Sequence, residues 1–246
     1  MYRLPDLPQP LDFPNHFETS PEGLLAVGGN LHYSTLINAY SKGIFPWYSE
    51  GEEILWWHPH PRAILLPENV HISRRIRRYF KSTKLIQNPS ENLIFESFQY
   101  LITINRDFSQ VMRCCAMTKR VQQNGTWITQ DMQNAYKTLH DKGFAHSFEV
   151  WNQEKKLVGG IYGVAIGKIF FGESMFSLET NASKWALFHL SRFMVQNKML
   201  LLDCQVESEH LKSLGAELIE RQKFMDYLNR GQTYLKQQSS CLVNIT

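Results

Sequence analysis

Residues 181–197, NASKWALFHLSRFMVQN, read as a helix that is apolar nearly all round. Such a helix must be covered on every side, so the chain has to supply a sheet and further elements to bury it. The residues before it supply strands. Ala145 to Trp151 reads as one strand, Asn152 to Lys156 as a polar turn, and Leu157 to Ile166 as a second strand. Gly167 then turns the chain into a third strand, Lys168 to Gly172. Gly159, Gly160 and Gly163 lie inside the second strand, where backbone must bulge or approach something closely. After the helix, the apolar run Met199 to Leu202 ends in Asp203-Cys204-Gln205 and reads as a buried strand, followed by a short helix near Ser208 to Leu214. An antiparallel meander, a buried helix and a further strand make a mixed α/β layout.

The N-terminal half is harder to divide. Residues 1–22 are proline-rich and read as extended. Ser34 caps a helix running to about Lys42, with Leu36, Ile37 and Tyr40 as its apolar stripe and Gly43 as its stop. Ala63 to Leu66 is strand-like, and Ser73 caps a short helix, SRRIRRYFK. Lys84 to Tyr100 reads as a strand, a turn at Asn88-Pro89-Ser90 and a helix capped by Ser90. Leu101 to Ile104 follows as a strand and Asp107 to Met117 as a helix. In Thr129 to Lys142 the residues Met132, Ala135, Tyr136 and Leu139 keep the i, i+3, i+4, i+7 spacing of an amphipathic helix.

Composition removes several classes of function. The 246 residues are 43% hydrophobic and 13% aromatic, which supports a packed core. A net charge of +3 is too mild to signal nucleic-acid binding, so any such reading rests on local clusters. No apolar run approaches the ~20 residues of a membrane span, and residues 1–14 have no apolar signal-peptide core; the expectation is a soluble cytoplasmic protein. Cys114, Cys115, Cys204 and Cys241 form neither a C-x-x-C nor a disulfide framework, and His58 and His60 have no further cluster at metal spacing. Reduced thiols and no metal are expected. There is no G-x-S-x-G, P-loop or G-x-G-x-x-G string.

Four local constellations carry chemistry. In the DCQ strand, alternation puts Asp203 and Gln205 on one face, roughly 7 Å apart, and Cys204 on the other. An acid and an amide at a strand end suit proton handling; a capped strand end is the plainer reading. In FFGESMFS, Glu173 and two hydroxyls stand among large apolar groups, so a buried Glu173 must find a donor or titrate. Phe170, Met175, Leu187, Leu190 and Met194 enclose either an apolar ligand or ordinary core, which periodicity does not separate. The helix SRRIRRYFK carries Arg74, Arg75, Arg77, Arg78 and Lys81 with no acid between His71 and Lys84, a pattern suited to phosphates or to a solvated face. Trp47 in Phe45-Pro46-Trp47 and Trp127 in Gly125-Thr126-Trp127 serve either to stack a base or to pack.

Together these strings resemble one family: GLLAVGGNL (residues 23–31), AYSKGIFPWYS (39–49), ILWWHPHPRA (54–63), GTWIT (125–129), AHSFEVW (145–151), LVGGIYGVAIG (157–167), FFGESMFS (170–177), NASKWAL (181–187) and LLDCQ (201–205). The chain is similar in these strings, from about Gly23 to Asn229, to the leucyl/phenylalanyl-tRNA–protein transferases. The resemblance implies an α+β chain with a small N-terminal domain, residues 1–70, packed on a domain of residues 71–246 resembling the Gcn5-related N-acetyltransferase fold. It implies a cytoplasmic aminoacyltransferase that takes leucine or phenylalanine from aminoacyl-tRNA. The acceptor is the α-amine of proteins beginning with Arg or Lys, which are thereby marked for the N-degron route. Neither coenzyme A, metal nor any other cofactor is implied.

Site roles follow by motif. The resemblance implies that Asp203 and Gln205 position and deprotonate the attacking amine, with Glu173 helping to bind the amine or the basic N-terminal residue. It places the terminal adenosine on Trp47 and Trp127, and the leucyl or phenylalanyl side chain against Phe170, Met175, Leu187 and Leu202 with Ser177 beside them. The tRNA acceptor stem falls to Arg74, Arg75, Arg77, Arg78 and Lys81. Ile161, Leu190 and Met194 stand where the family pattern has Met or Phe, which keeps the acceptor apolar and alters its shape. Residues 84–100 are extra against that pattern. An acyl-CoA-dependent N-acetyltransferase and a non-catalytic RNA-binding protein are the rival readings. The first lacks the pyrophosphate-binding glycine string of its class, and the second leaves Asp203, Gln205 and GESMFS without a purpose.

Overall fold

A computed structural model describes residues 2–7, 10–72, 84–88, 93–96, 99–118 and 127–237. Among them the strands form two sheets and the molecule is α+β. The small sheet has the order β1-β2-β4-β3, from Tyr2–Leu4 (β1), Leu24–Gly28 (β2), Phe45–Pro46 (β3) and Leu55–Trp57 (β4). Helix α1 (Tyr33–Ser41) lies between β2 and β3 and ends where Gly43 takes a φ of 74°. Its N-cap position is His32, not Ser34, whose hydroxyl instead contacts the His32 ring.

The large sheet has nine strands in the order β13-β5-β12-β11-β10-β9-β8-β7-β6. They are Arg62–Leu65 (β5), Lys84–Asn88 (β6), Leu93–Glu96 (β7), Leu101–Ile104 (β8), Ala145–Trp151 (β9), Leu157–Ile166 (β10), Ile169–Ser177 (β11), Leu201–Gln205 (β12) and Glu217–Ile219 (β13). Strand β5 comes from the first 70 residues yet pairs inside this sheet with both β12 and β13. Where a helix is read over residues 90–100, the described residues 93–96 form a strand. Leu93–Glu96 instead pairs antiparallel with β6 and β8, a case of strand neighbours overriding a weak local preference. The basic segment SRRIRRYFK, residues 73–81, lies outside the described residues.

Helices α2 (Phe108–Met117) and α3 (Gln130–Asp141) have Asp107 and Thr129 as N-caps, each side chain accepting a backbone N–H two or three residues into its helix. They join α1 in the main core under β10 and β11, through Val111, Tyr136 and Leu139. Helix α4 (Ala182–Gln196) fills a second core on β9 and β10 with Trp185, Leu187, Leu190 and Met194, and none of its residues before Val195 is exposed. It carries the chain from β11 to the adjacent, parallel β12. Helix α5 (Glu209–Ser213) is short, and α6 (Arg221–Gln237), which the sequence reading did not anticipate, sets Phe224 and Leu228 into the main core.

Two β-bulges interrupt the large sheet on either side of the β11·β12 pair. Between β10 and β11 the register passes from Tyr162↔Ser174 to Gly163↔Gly172, leaving Glu173 as the extra, unopposed residue. Between β12 and β5 it passes from Asp203↔Ile64 to Gln205↔Ala63, leaving Cys204 extra. Gly163 is required at the first bulge because a Cβ there would lie 2.1 Å from the Phe171 carbonyl oxygen and 2.5 Å from the Phe170 ring. Replacing Gly163 with Ala is expected to cost about 1–3 kcal/mol of stability, read as a lowered urea midpoint; an unchanged midpoint would show that the bulge yields freely.

Candidate active site

The parallel pairing of β11 with β12 stops at Phe171↔Asp203, just short of both bulges. Where it stops, a cavity of about 470 Å³ opens, lined from β11 by Gly172, Glu173, Ser174 and Met175 and from β12 by Leu202, Cys204 and Gln205. Ile161 of β10 and Leu187 of α4 complete an apolar end with Met175 and Leu202. Trp47 and Trp127 line it too, joined by Phe45, Pro46 and the rim residues Val206, Ser208, His210 and Leu211.

The polar wall centres on Glu173, which is buried to 7% exposure. Its Oε1 accepts from the Tyr40 hydroxyl at 2.8 Å and from the Gln205 amide Nε2 at 2.9 Å, and its Oε2 accepts from the Tyr136 hydroxyl at 2.9 Å. The two tyrosine hydroxyls are also in contact with each other, a third contact that needs a proton on Glu173 if all three are to be hydrogen bonds at once. Burial pushes the Glu173 carboxyl up to about 7, and the negative charge of Asp203 adds to the rise. The hydrogen bonds from Tyr40, Tyr136 and Gln205 oppose it. Burial, with Glu173 next, drives both phenols well above their ordinary range, so they remain donors. A carboxyl that changes charge near neutrality, inside a cavity and among fixed donors, is able to take up a proton near neutral pH.

Asp203 stands behind this wall and does not line the cavity. It is fully buried, its Oδ1 accepting from Arg62 Nε at 2.8 Å and its Oδ2 from Arg62 Nη2 at 2.6 Å. Simple alternation had put Asp203 and Gln205 on one face and Cys204 on the other. The structure corrects this, because Cys204 is a bulge residue and Gln205 takes a left-handed φ of 66°, so that Cys204 and Gln205 both reach the cavity and Asp203 does not.

The apolar residues divide in the same way. Ile161, Met175, Leu187 and Leu202 line the cavity. Phe170, Leu190 and Met194 do not line it: they pack in the second core behind it, Leu190 and Met194 one and two turns along α4 from Leu187. Ser177 is also away from the lining. It is exposed, and its hydroxyl donates to the Glu179 carbonyl and accepts the Ser183 N–H at the start of α4. Arg74, Arg75, Arg77, Arg78 and Lys81 lie outside the described residues. Sequence reading missed Tyr40, Tyr136 and Arg62. Both tyrosines had been assigned to apolar helix stripes, although a buried phenol needs a partner and so gives a usable signal. Among the described residues no three His, Cys, Asp or Glu side chains are grouped to hold a metal ion, and no helix is long and apolar enough to cross a membrane.

A mixed α+β fold with a buried carboxyl raised towards neutrality, an apolar cavity end and two tryptophans lining one cavity is compatible with a group-transfer site. Comparison with known proteins gives the family. Residues 64–229 match the family model described as leucyl/phenylalanyl-tRNA protein transferase, and residues 29–60 match the model of its N-terminal domain. The chain is 47% identical over 210 residues to the leucyl/phenylalanyl-tRNA–protein transferase of Pseudomonas fluorescens, covering 85% of each chain. To that of Erwinia tasmaniensis it is 46% identical over 216 residues, covering 88% of this chain and 86% of the relative. Among solved structures, that of L-PGS from Bacillus licheniformis aligns with a TM-score of 0.35 at 10% identity, over 83% of this chain and 59% of that one. The chain belongs to the leucyl/phenylalanyl-tRNA–protein transferase family.

Tyr136→Phe removes one of the hydrogen bonds that hold Glu173 down, so the carboxyl should titrate at higher pH than in the parent. NMR of a side-chain ¹³C label at Glu173 measures this directly. A midpoint at or below the parent's would show that Tyr136 does not stabilise the charged form.

Proposed function

We propose that this chain transfers leucine or phenylalanine from aminoacyl-tRNA to the α-amine of proteins whose first residue is Arg or Lys. The observation that carries the reading is one cavity whose apolar end, tryptophans and polar wall together match the three parts of such a reaction. The leucyl or phenylalanyl side chain enters the end formed by Ile161, Met175, Leu187 and Leu202. The terminal adenosine stacks on Trp47 and Trp127. The attacking amine arrives at the wall of Glu173 and Gln205, with Asp203 behind.

The chemistry then balances without a cofactor. The α-ammonium, with a pKa near 8, gives a proton to a carboxylate of the wall. The free amine forms a C–N bond to the ester carbonyl carbon. As the ester C–O bond breaks, the nitrogen's second proton passes to the ribose oxygen, leaving an amide and a deacylated tRNA. The tRNA ester is already activated, so neither coenzyme A nor a metal is needed. Arg74, Arg75, Arg77, Arg78 and Lys81 hold the acceptor stem in this reading, supported by five cations in a segment without an acid. The domain resembling the Gcn5-related N-acetyltransferases is read over residues 71–246 and the smaller one over residues 1–70, except that β5 (Arg62–Leu65) joins the larger sheet; the antiparallel run β8–β11 followed by parallel β12 supports the reading. The enzyme works in the cytoplasm, and its products enter the N-degron route.

Labelled leucine on leucyl-tRNA should pass to a peptide with N-terminal Arg and not to its N-acetylated copy. Transfer to neither, with tRNA still bound, would leave an RNA-binding protein; reaction with acetyl-CoA instead would make it an acetyltransferase. Arg75→Ala with Arg78→Ala should weaken tRNA binding and flatten its salt dependence by about 1 in logarithmic slope for each phosphate no longer neutralised. An unchanged slope in a binding titration would move the docking surface elsewhere.

A further inference from the structure

Arg62 takes no part in the transfer steps proposed for this site. It lies on β5, 141 residues from Asp203, and its side chain is 1% exposed. Besides the two hydrogen bonds to Asp203, Nη2 donates to the Gly43 carbonyl at 2.9 Å. The guanidinium sits over the rings of Phe45 at 5.0 Å and Phe224 at 4.5 Å. It therefore contacts the end of α1, the strand leading to Trp47, the α6 helix and the DCQ strand at once. Its Nε and Nη2 are taken up by these contacts, its Nη1 is buried without a hydrogen-bond partner, and the side chain does not line the cavity.

Asp203 is equally occupied. Its Oδ1 accepts the Gln205 backbone N–H at 2.9 Å in addition to Arg62 Nε. That bond closes the bulge in which Gln205 takes its left-handed φ of 66°, an unfavourable conformation for a residue with a side chain. In this conformation Gln205 turns its amide onto Glu173 Oε1, at 2.9 Å. Three links thus run in series, from Arg62 to Asp203, from Asp203 to the Gln205 backbone, and from the Gln205 side chain to Glu173.

We propose that Arg62 is a positioning residue of the transfer site: it clamps Asp203 behind the cavity wall, Asp203 fixes the Gln205 bulge, and Glu173 is the carboxylate that takes the proton from the attacking amine. The inference rests on the transferase reading and deepens it, dividing the two acids by where their oxygens point. Glu173 faces the cavity among Tyr40 of α1, Tyr136 of α3, Tyr162 of β10 and Gln205 of β12, with the Asp203 charge behind it. Asp203 has no oxygen free of Arg62 and does not line the cavity.

The paired variant Arg62→Gln with Asp203→Asn tests this in a parent shown to transfer leucine. An amide at 203 keeps an oxygen for the Gln205 N–H and a partner at 62, but it takes no proton. The pair should remain folded, bind leucyl-tRNA and transfer within about tenfold of the parent kcat. The acid limb of its pH profile should persist, displaced to lower pH because the Asp203 charge that raises Glu173 is gone. Arg62→Gln alone, which strands a buried carboxylate, should be worse than the pair, so that the second substitution rescues the first. Glu173→Gln should lower kcat and leave an acid limb set by the substrate α-amine alone, near 8. A folded, tRNA-binding pair with no transfer, or with an acid limb left only at that of the substrate amine, would make Asp203 the base and overturn the proposal. Should the pair not fold, Glu173→Gln decides: a parent-like kcat with an unmoved acid limb overturns the proposal, and a lowered kcat with the limb moved to that of the substrate amine, tRNA binding retained, supports it. Absence of transfer in the parent itself would count against the transferase reading.

Discussion

The buried pair between Arg62 and Asp203 is the interaction on which the site depends. Taking two charges out of water costs several kcal/mol each, and that cost is offset only when geometry and additional hydrogen bonds are nearly complete. Here both carboxylate oxygens are met, the guanidinium also reaches a backbone carbonyl, and two aromatic faces cover it, with Nη1 the one guanidinium nitrogen left without a hydrogen-bond partner. A less demanding apolar contact would tolerate a shift of these segments by an ångström. A buried bidentate ion pair does not, which fixes β5, β12 and the Phe45 strand against one another.

On that fixed point the two bulges are built. A regular β11·β12 ladder would spend the backbone groups of residues 172–175 and 204–205 on pairing and leave no space between the strands. The extra residues Glu173 and Cys204 end the ladder and re-aim the side chains, so that a carboxyl and an amide meet across the gap. The tyrosines from α1 and α3 then supply the donors that a carboxyl out of water requires.

Much of the architecture was legible in the sequence, because strands and helices with strong periodicity declare themselves. β8, β9 and β10 begin and end where hydrophobic patterning placed them, and Thr129 caps α3 as its hydroxyl and position suggest. What escaped was non-local. Leu93–Glu96 is too short for its period to be read, and its pairing with β8 decides its form. The bulges invert the facing of residues that alternation assigns correctly only in an unbroken strand. Arg62 lay in the string HPHPRA, read for its histidines and prolines, and nothing local marks a cation that is to be buried against an acid 141 positions away.

That separation also governs when the site comes into being. As the chain leaves the ribosome, Arg62 emerges early and Phe224, which covers its guanidinium, emerges near the end. Until α6 docks, the Arg62 guanidinium lacks the Phe224 ring over one of its faces. Every cavity-lining residue precedes Phe224, so the cover over the ion pair that stands behind the cavity comes from a segment later in the chain than the cavity itself.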